Sequence, residues 1–329
     1  MKAGKVSQTV LKRSVLKQIH GSVSERILPA ASYEMCGCIE SSADRTVVSS
    51  STMYGNSIHL PVYAIAKTVN DLATRGARPS GVGLQIVLPP NVHESRLREM
   101  AEEAARAGRA HAVQILTADV QVSPAVRTAV ISVHGVGVQK REETVEPEMG
   151  CPGQDIVLLG WVGLEGSLRL FDEKKEELSG RFVPAFFHPL EKLRDEIFAL
   201  EAAVSARKAG VQAMQQISEG GILAALWELA EAAGTGLSVD LRQMSIRQET
   251  VELCEFYRLN PYQLTSNGSI LMAAADGQEL CDRLNGQGMK ASLLGKLTDG
   301  REKVILNGDE KRYLDRPAPD ELTRIFTFE

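Results

Sequence analysis

The sequence has little of what marks several common classes of protein. Its five cysteines in 329 residues are an odd, sparse set, which argues against the disulfide framework of a small secreted protein. Lysine and arginine number 37 against 42 aspartates and glutamates, so the chain lacks the basic excess of proteins that bind nucleic-acid backbones. No apolar run approaches the ~18 residues of a transmembrane helix, and none near the N-terminus is typical of a signal peptide. We therefore expect a cytoplasmic globular protein without membrane or nucleic-acid partners.

Several catalytic signatures are also missing. The dinucleotide-binding motif G-x-G-x-x-G and the P-loop motif G-x-x-x-x-G-K-[ST] are absent as strand-turn-helix features. The G-x-S-x-G nucleophile elbow of hydrolases and the H-E-x-x-H helix motif of zinc proteases are absent as well. Cys36 and Cys38 form a CxC pair, but zinc sites need four ligands and no second Cys/His pair lies nearby. We expect ordinary thiols there, and the sequence leaves their role open.

The length and patterning that are present predict two α/β domains of the α+β type. At ~100–200 residues per domain, 329 residues make two domains the first expectation. The polar segment 139–154, with two prolines and two glycines, is the strongest linker candidate, giving domains at 1–145 and 150–329. Long helices beside short strands suit a mixed sheet covered by helices on one face in each domain.

Periodicity places the main elements. Helices are predicted at 60–76, 94–108, 190–209, 221–233, 247–259 and 276–287, and strands at 45–51, 81–88, 111–118, 126–138, 155–160, 269–275, 289–298 and 302–307.

Two carboxylates are candidate metal ligands. Asn70 and Asp71 lie in the middle of an apolar helical pattern, where a carboxylate could bind Mg²⁺ beside an amide, or could face solvent or another helix. Asp119 ends a strand, where it could hold a metal or phosphate or simply begin a turn.

A glycine pair supplies a candidate anion site. Ser218, Glu219, Gly220 and Gly221 open a helix whose first N–H groups could hold a phosphate. Plain capping of that helix is the alternative.

Seven short segments form a pattern along the chain: TVNDLA at 68–73, GARP at 76–79, PGQDIV at 152–157, GLEG at 163–166, SEGGILAAL at 218–226, SNGSIL at 266–271 and LGKL at 294–297. In this order, they resemble the AIR synthase-related (PurM-like) superfamily, and most of all its HypE-like hydrogenase maturation factors. Together they extend over nearly the whole chain.

The resemblance implies a homodimer joined through the N-terminal domains, with Mg-ATP bound between the domains. It implies phosphoryl transfer to a small substrate or an ATP-driven dehydration, and a small molecule or a maturation protein as partner. The matching positions for ATP are Asn70, Asp71, Asp119, Glu219, Gly220 and Gly221, with Asp71 and Asp119 holding the metal.

This sequence departs from the family pattern at positions that bear on the chemistry. Met35, Met53 and Gln216 stand where relatives carry acidic residues, which predicts weak or lost Mg²⁺ binding. The chain also ends FTFE, without the terminal cysteine of HypE. Two hypotheses stay open: an ATP-dependent enzyme with altered metal ligation, or a non-catalytic paralogue that serves as a dimeric binding or scaffold protein.

Overall fold

The first sheet is built from the N-terminal part of the chain. The structure is a computed structural model that describes residues 27–28, 36–40 and 44–326. The first sheet contains β1 (Ile27–Leu28), β2 (Cys36–Glu40), β3 (Asp44–Gly55), β4 (Arg78–Leu88), β5 (Ile115–Val122) and β6 (Ala129–Lys140), in the spatial order β1-β2-β3-β6-β4-β5. The pair β4–β5 is parallel and the other pairs are antiparallel, so the sheet is mixed.

Helices cover one face of this sheet. They are α1 (Leu60–Thr74) and α2 (Glu94–Ala110). Every residue of α1 is buried, and its apolar side chains share one core with the inward residues of β3, β4 and β6. From Val47 onward, β3 alternates between buried and exposed residues, as a strand with one covered face must.

The second sheet has seven strands and is also mixed. Its strands are β7 (Asp155–Leu159), β8 (Ala213–Gln216), β9 (Gly236–Asp240), β10 (Ile270–Ala274), β11 (Ala291–Thr298), β12 (Lys303–Asn307) and β13 (Glu310–Tyr313), in the spatial order β13-β12-β9-β11-β7-β10-β8. Only β12–β9 is parallel among the described pairs.

Helices pack on both faces of the second sheet. The helices of this part are α3 (Leu164–Glu173), α4 (Lys175–Ser179), α5 (Pro184–Leu193), α6 (Leu200–Lys208), α7 (Gly221–Ala233), α8 (Gln248–Tyr257) and α9 (Gly277–Gly286). One core joins α7 to the sheet, and a separate core joins α6 and α9 to it. The predicted architecture of two mixed sheets with helices is confirmed, with a second helical layer added here.

One predicted helix is wrong. Instead of a single helix over 190–209, α5 ends at Leu193, a 3₁₀ turn spans Arg194–Ile197, and α6 begins at Leu200. The Arg194 guanidinium binds the Asp172 carboxylate in a bidentate pair, with both distances at 2.9 Å. A side chain of α1 binds the backbone after this turn. Its hydrogen bonds replace the helical hydrogen bonds that are missing there.

The two parts of the chain are closely packed. Their connection runs from the end of β6 through two 3₁₀ turns, at Arg141–Glu143 and Pro147–Met149. Side chains of α1 and of α3 and α5 belong to the same hydrophobic core. The domain boundary near 145–150 stays a prediction. None of the helices in the described residues is long and apolar enough to cross a membrane.

Candidate functional site

The site begins with polar side chains on a wholly buried helix. Apolar residues at helical spacing hold α1 against the first sheet, yet Lys67, Asn70 and Asp71 lie in its middle. Residues three and four positions apart share a helix face, so these side chains emerge together toward the second part of the chain. Because a buried polar group without a partner costs free energy, each of them must be bound by other protein groups or by a ligand.

Asn70 joins the two parts of the molecule. Its Nδ2 donates to the carbonyl of Ile197 at 2.7 Å and to Oδ1 of Asn267 at 3.2 Å. Its Oδ1 accepts from the N–H of Ala199 at 2.8 Å. These bonds explain the break between α5 and α6. The predicted nucleotide-binding residue therefore serves as a structural joint in this chain.

Asp71 is bound by side chains from both parts. Ser49 Oγ donates to its Oδ2 at 3.1 Å, and Gln216 Nε2 donates to its Oδ1. Gln216 Nε2 also donates to the Lys67 carbonyl at 3.1 Å. Burial raises the pKa of Asp71 to about 6, against the opposing attraction of Lys67.

Lys67 supplies the cation beside Asp71. Its ammonium is bound to Glu219 Oε1, and its side chain is only 4% exposed. Burial acts to lower the pKa of Lys67, but the attraction of Glu219 and Asp71 outweighs it and the pKa is raised. The amine is therefore held as an ammonium ion.

Glu165 adds a further buried carboxylate. It accepts from Thr265 Oγ1 at 3.0 Å and lies 3.5 Å from the Arg169 guanidinium. Burial raises its pKa.

The N-terminus of α7 already donates a hydrogen bond to a carboxyl oxygen. Gly220 and Gly221 have φ of 86° and 66°, a left-handed conformation that favours glycine and turns the chain sharply into the helix. The N–H of Gly220 donates to Asp320 Oδ2 at 2.9 Å, and the N–H of Leu322 donates to Asp320 Oδ1 at 2.9 Å. Burial raises the pKa of Asp320 to about 7.

A cavity of about 380 Å³ adjoins this helix end. Its lining includes Gly220, Leu223, Tyr262, Arg312, Tyr313 and Arg316. Arginine guanidinium groups and tyrosine rings at the start of a helix are groups that can bind a phosphate-bearing ligand with a planar ring. We name this space the α7 cavity, and we name Lys67, Asp71, Glu165, Gln216, Glu219 and Asp320 the polar cluster.

Asp119 lies on the other side of the first sheet. It pairs with Gln85 in the β4–β5 register, and Gln85 Nε2 donates to its Oδ2 at 3.4 Å. Neighbouring residues Leu84 and Ile86 point to the helix-covered face, so Gln85 and Asp119 point to the open face. Within one chain, the structure therefore brings Asp71 together with Glu219 but does not bring Asp119 to them.

The three residues that were predicted to replace acidic residues of the relatives lie in different places. Met53 is buried among apolar side chains between β3 and α1. Gln216 lies against Asp71, as described above. Met35 lies outside the described residues, and of Cys36 and Cys38 the structure describes the backbone in β2.

Sequence reasoning missed Lys67 and Asp320. Lys67 had a usable signal, because a lysine four residues before Asp71 in an otherwise apolar helix cannot reach solvent easily if the helix is buried on all sides. Asp320 had none, since its role depends on the C-terminal segment meeting α7 in three dimensions.

The residues present do not fit a Mg²⁺ ion. Each oxygen of Asp71 already accepts a hydrogen bond from a protein donor, and the nearby Lys67 ammonium would repel a Mg²⁺ ion bound to the remaining lone pairs. Across residues 27–28, 36–40 and 44–326, no group of three or more His, Cys, Asp or Glu is arranged to hold a metal.

Two family models match the chain. AIR synthase related protein, N-terminal domain, matches residues 33–139, and AIR synthase related protein, C-terminal domain, matches residues 152–307. The carbamoyl dehydratase HypE of Rhodobacter capsulatus is 27% identical over 271 residues, covering 80% of this chain and 77% of the relative.

Solved structures share the fold. A HypE-HypF complex includes a chain with TM-score 0.70 and 16% identity, covering 92% of this chain and 100% of that one. HypE in complex with ATP gives a TM-score of 0.68 at 18% identity, covering 98% of each chain. The matched residues of the two domain models extend over most of the sequence, and the chain therefore belongs to the AIR synthase-related family.

Proposed function

We propose that this chain binds an adenine nucleotide in the α7 cavity and uses it in HypE-like chemistry on a small substrate. The observation that carries the proposal is the hydrogen bond from the Gly220 N–H to Asp320, at 2.9 Å. It marks a helix N-terminus whose N–H donates to a carboxyl oxygen at the edge of a cavity of about 380 Å³. The HypE structure with ATP, of the same fold, supports the choice of nucleotide.

The chain's own groups suit the parts of a nucleotide. Phosphate oxygens would take the place of the Asp320 carboxylate at α7, with Arg312 and Arg316 supplying positive charge. The rings of Tyr262 and Tyr313 offer apolar surface for a base. ATP-dependent phosphoryl transfer or dehydration is the reaction class proposed here, on a substrate carrying a carboxylate, phosphate or carbamoyl-type group.

Calorimetric titration of ATP tests the binding. Asp320→Ala removes the competing carboxylate from the Gly220 N–H and should tighten ATP binding by roughly 10-fold, the value of one charge-assisted hydrogen bond. The matched control is Asp276→Ala, which removes a helix cap on α9, where Asp276 accepts from the Glu279 N–H at 2.9 Å. That variant should bind ATP as the wild type does. No ATP binding to any of the three proteins would contradict the proposal.

A second function has its own supporting observation. Gln216 presents an amide to Asp71 where a metal-binding site would need another oxygen donor. That contact favours a non-catalytic paralogue that keeps the fold as a dimeric binding or scaffold protein. ATP turnover separates the two functions, because the catalytic protein releases phosphate under multiple-turnover conditions and the non-catalytic one does not.

We also propose that the open face of the first sheet joins two chains into a homodimer. Val48, Val136 and Val138 are exposed together on β3 and β6, with Tyr54 exposed farther along β3 on the same face, and an uncovered apolar sheet face is typical of an interface. Val136→Glu should convert a dimer to a monomer in light scattering. Val183→Glu, at a valine 69% exposed elsewhere, should leave the dimer intact. A wild-type monomer at micromolar concentration would contradict the assembly.

A maturation protein is the proposed macromolecular partner. The HypE-HypF complex shows that a protein of this fold can be crystallised with a partner protein. Size-exclusion chromatography of this chain mixed with a HypF protein from a known hydrogenase system should show a joint peak. If the two proteins elute separately at micromolar concentrations, a partner of this class would be contradicted.

A further inference from the structure

Lys67 is a buried cation in a cluster of carboxylates. It lies one helical turn before Asp71 on α1, and its ammonium is bound to Glu219 on the loop before α7. The ammonium therefore links the first sheet's helix to the second part of the chain. A buried ammonium bound to the Glu219 carboxylate, with the Asp71 carboxylate nearby, provides the local charge balance that a divalent cation would otherwise provide.

The hydrogen bonds around Asp71, together with the nearby Lys67 ammonium, disfavour a metal beside it. Gln216 directs an N–H at Oδ1, and Ser49 directs an O–H at Oδ2. The other atom of the Gln216 amide, Oε1, is buried and has no hydrogen-bond partner among the described residues. A metal bound to Asp71 would have to displace an N–H donor and approach the Lys67 ammonium.

We propose that the Lys67 ammonium takes the place of a divalent cation in the polar cluster, so that the chain binds its ligand without a metal ion. The inference rests on the proposed function only in naming a nucleotide as that ligand. Lys67 is then a positioning residue, since it holds Glu219 in place across the junction beside Asp71 and need not touch the ligand.

The proposal predicts that removing Lys67 creates the metal site that the wild type lacks. Lys67→Met with Gln216→Asp replaces the cation by an apolar chain and the amide by a third carboxylate. Asp71, Glu219 and the new carboxylate then share a buried space with no cation, which favours uptake of a divalent ion.

Titration of Mn²⁺ alone, followed by the electron paramagnetic resonance signal of free Mn²⁺, tests this. The wild type should show no tight site, and Lys67→Met/Gln216→Asp should take up about one Mn²⁺ per chain, at least ~10-fold tighter than the wild type. The control is Lys303→Met/Gln216→Asp. It removes another buried lysine, paired with Glu231 at 2.7 Å, but keeps Lys67 and should take up no Mn²⁺.

Two results would overturn the proposal. One is a tight Mn²⁺ site in the wild type that is lost in Asp71→Asn. The other is a folded Lys67→Met/Gln216→Asp protein that takes up no Mn²⁺.

If the double variant does not fold, the wild-type protein still decides the question through its Mn²⁺ titration. A second wild-type measurement compares ATP affinity in Mg²⁺ and in chelator. Equal affinity supports the proposal, and a loss of ~10-fold or more in chelator overturns it. Failure of the proposed function would show instead as no ATP binding in either buffer, and the Mn²⁺ result would stand by itself.

Discussion

The two faces of the first sheet differ in what their polar side chains do. On the covered face, Ser51 Oγ donates to the Ala64 carbonyl at 3.1 Å, and Ser49 binds Asp71. On the open face, Thr52 Oγ1 lies 2.9 Å from Ser132 Oγ in an exposed cross-strand pair. Neighbours in one strand therefore either contact the buried helix α1 or lie on a surface suited to assembly.

Strand alternation explains why the two predicted metal ligands separate. Asp71 lies in the family-like segment TVNDLA and Asp119 in a predicted strand end, but Asp119 points away from the helix layer that carries Asp71. Motif similarity therefore predicts candidate residues, whereas the strand register decides which of them can meet within one chain.

The largest expected effect comes from removing a buried side chain on the covered face of the first sheet. Ile131 on β6 is fully buried, so Ile131→Ala should lower the free energy of unfolding by about 2–5 kcal/mol through lost burial and a cavity. Val136, on the open face of the same strand, is 37% exposed, and Val136→Ala should change it by at most ~0.5 kcal/mol in the monomer. Urea unfolding at low protein concentration measures both. Equal losses would mean that both faces are covered in the isolated chain.

Much of this fold could be predicted from periodicity, and the site only in part. The buried helix over 60–76 and the strands on either side of it follow from apolar spacing. The break at residues 194–199 could not be predicted, because it depends on Asn70 binding the Ile197 carbonyl and the Ala199 N–H across the molecule. Contacts between residues more than a hundred positions apart leave no local pattern in the sequence.

The second expected effect concerns the buried carboxyl groups of Asp320 and Asp71. Asp320 has a folded pKa of about 7 against an ordinary value of 3.8, because burial penalises its charged form. Between these values, the folded chain keeps a proton that the unfolded chain has released. The free energy of unfolding should therefore fall as pH rises from about 4 to 7, by a few kcal/mol. Asp71, at about 6, acts in the same direction.

Denaturant unfolding from pH 4 to 8 measures this dependence. Asp320→Asn cannot ionise, so its stability should vary less with pH, although one N–H of Gly220 or Leu322 loses its acceptor. Asp276→Asn, at an exposed cap, should keep the wild-type slope. An unchanged slope in Asp320→Asn would show that folding does not shift the pKa of Asp320.

The smallest expected effect lies on the open face. Asp119 accepts from Gln85 and from Gln121 Nε2, the latter at 3.2 Å, and both bonds are exposed. Asp119→Asn should therefore change the free energy of unfolding by at most ~0.5 kcal/mol. If the site lies within one chain, ATP affinity should also stay as in the wild type.

The same variant also tests whether the open face contributes to a nucleotide site. A marked fall in ATP affinity in Asp119→Asn would mean that a carboxylate from the open face reaches a nucleotide. Because Asp119 and Asp71 lie on opposite sides of the sheet, that could occur only if the ligand, or the Asp119 of a second chain, crosses the interface. Repeating the titration in Val136→Glu, with its dimer disrupted, then separates the two cases. An effect of Asp119→Asn that disappears in the Val136→Glu monomer would assign Asp119 to a site completed by the partner chain.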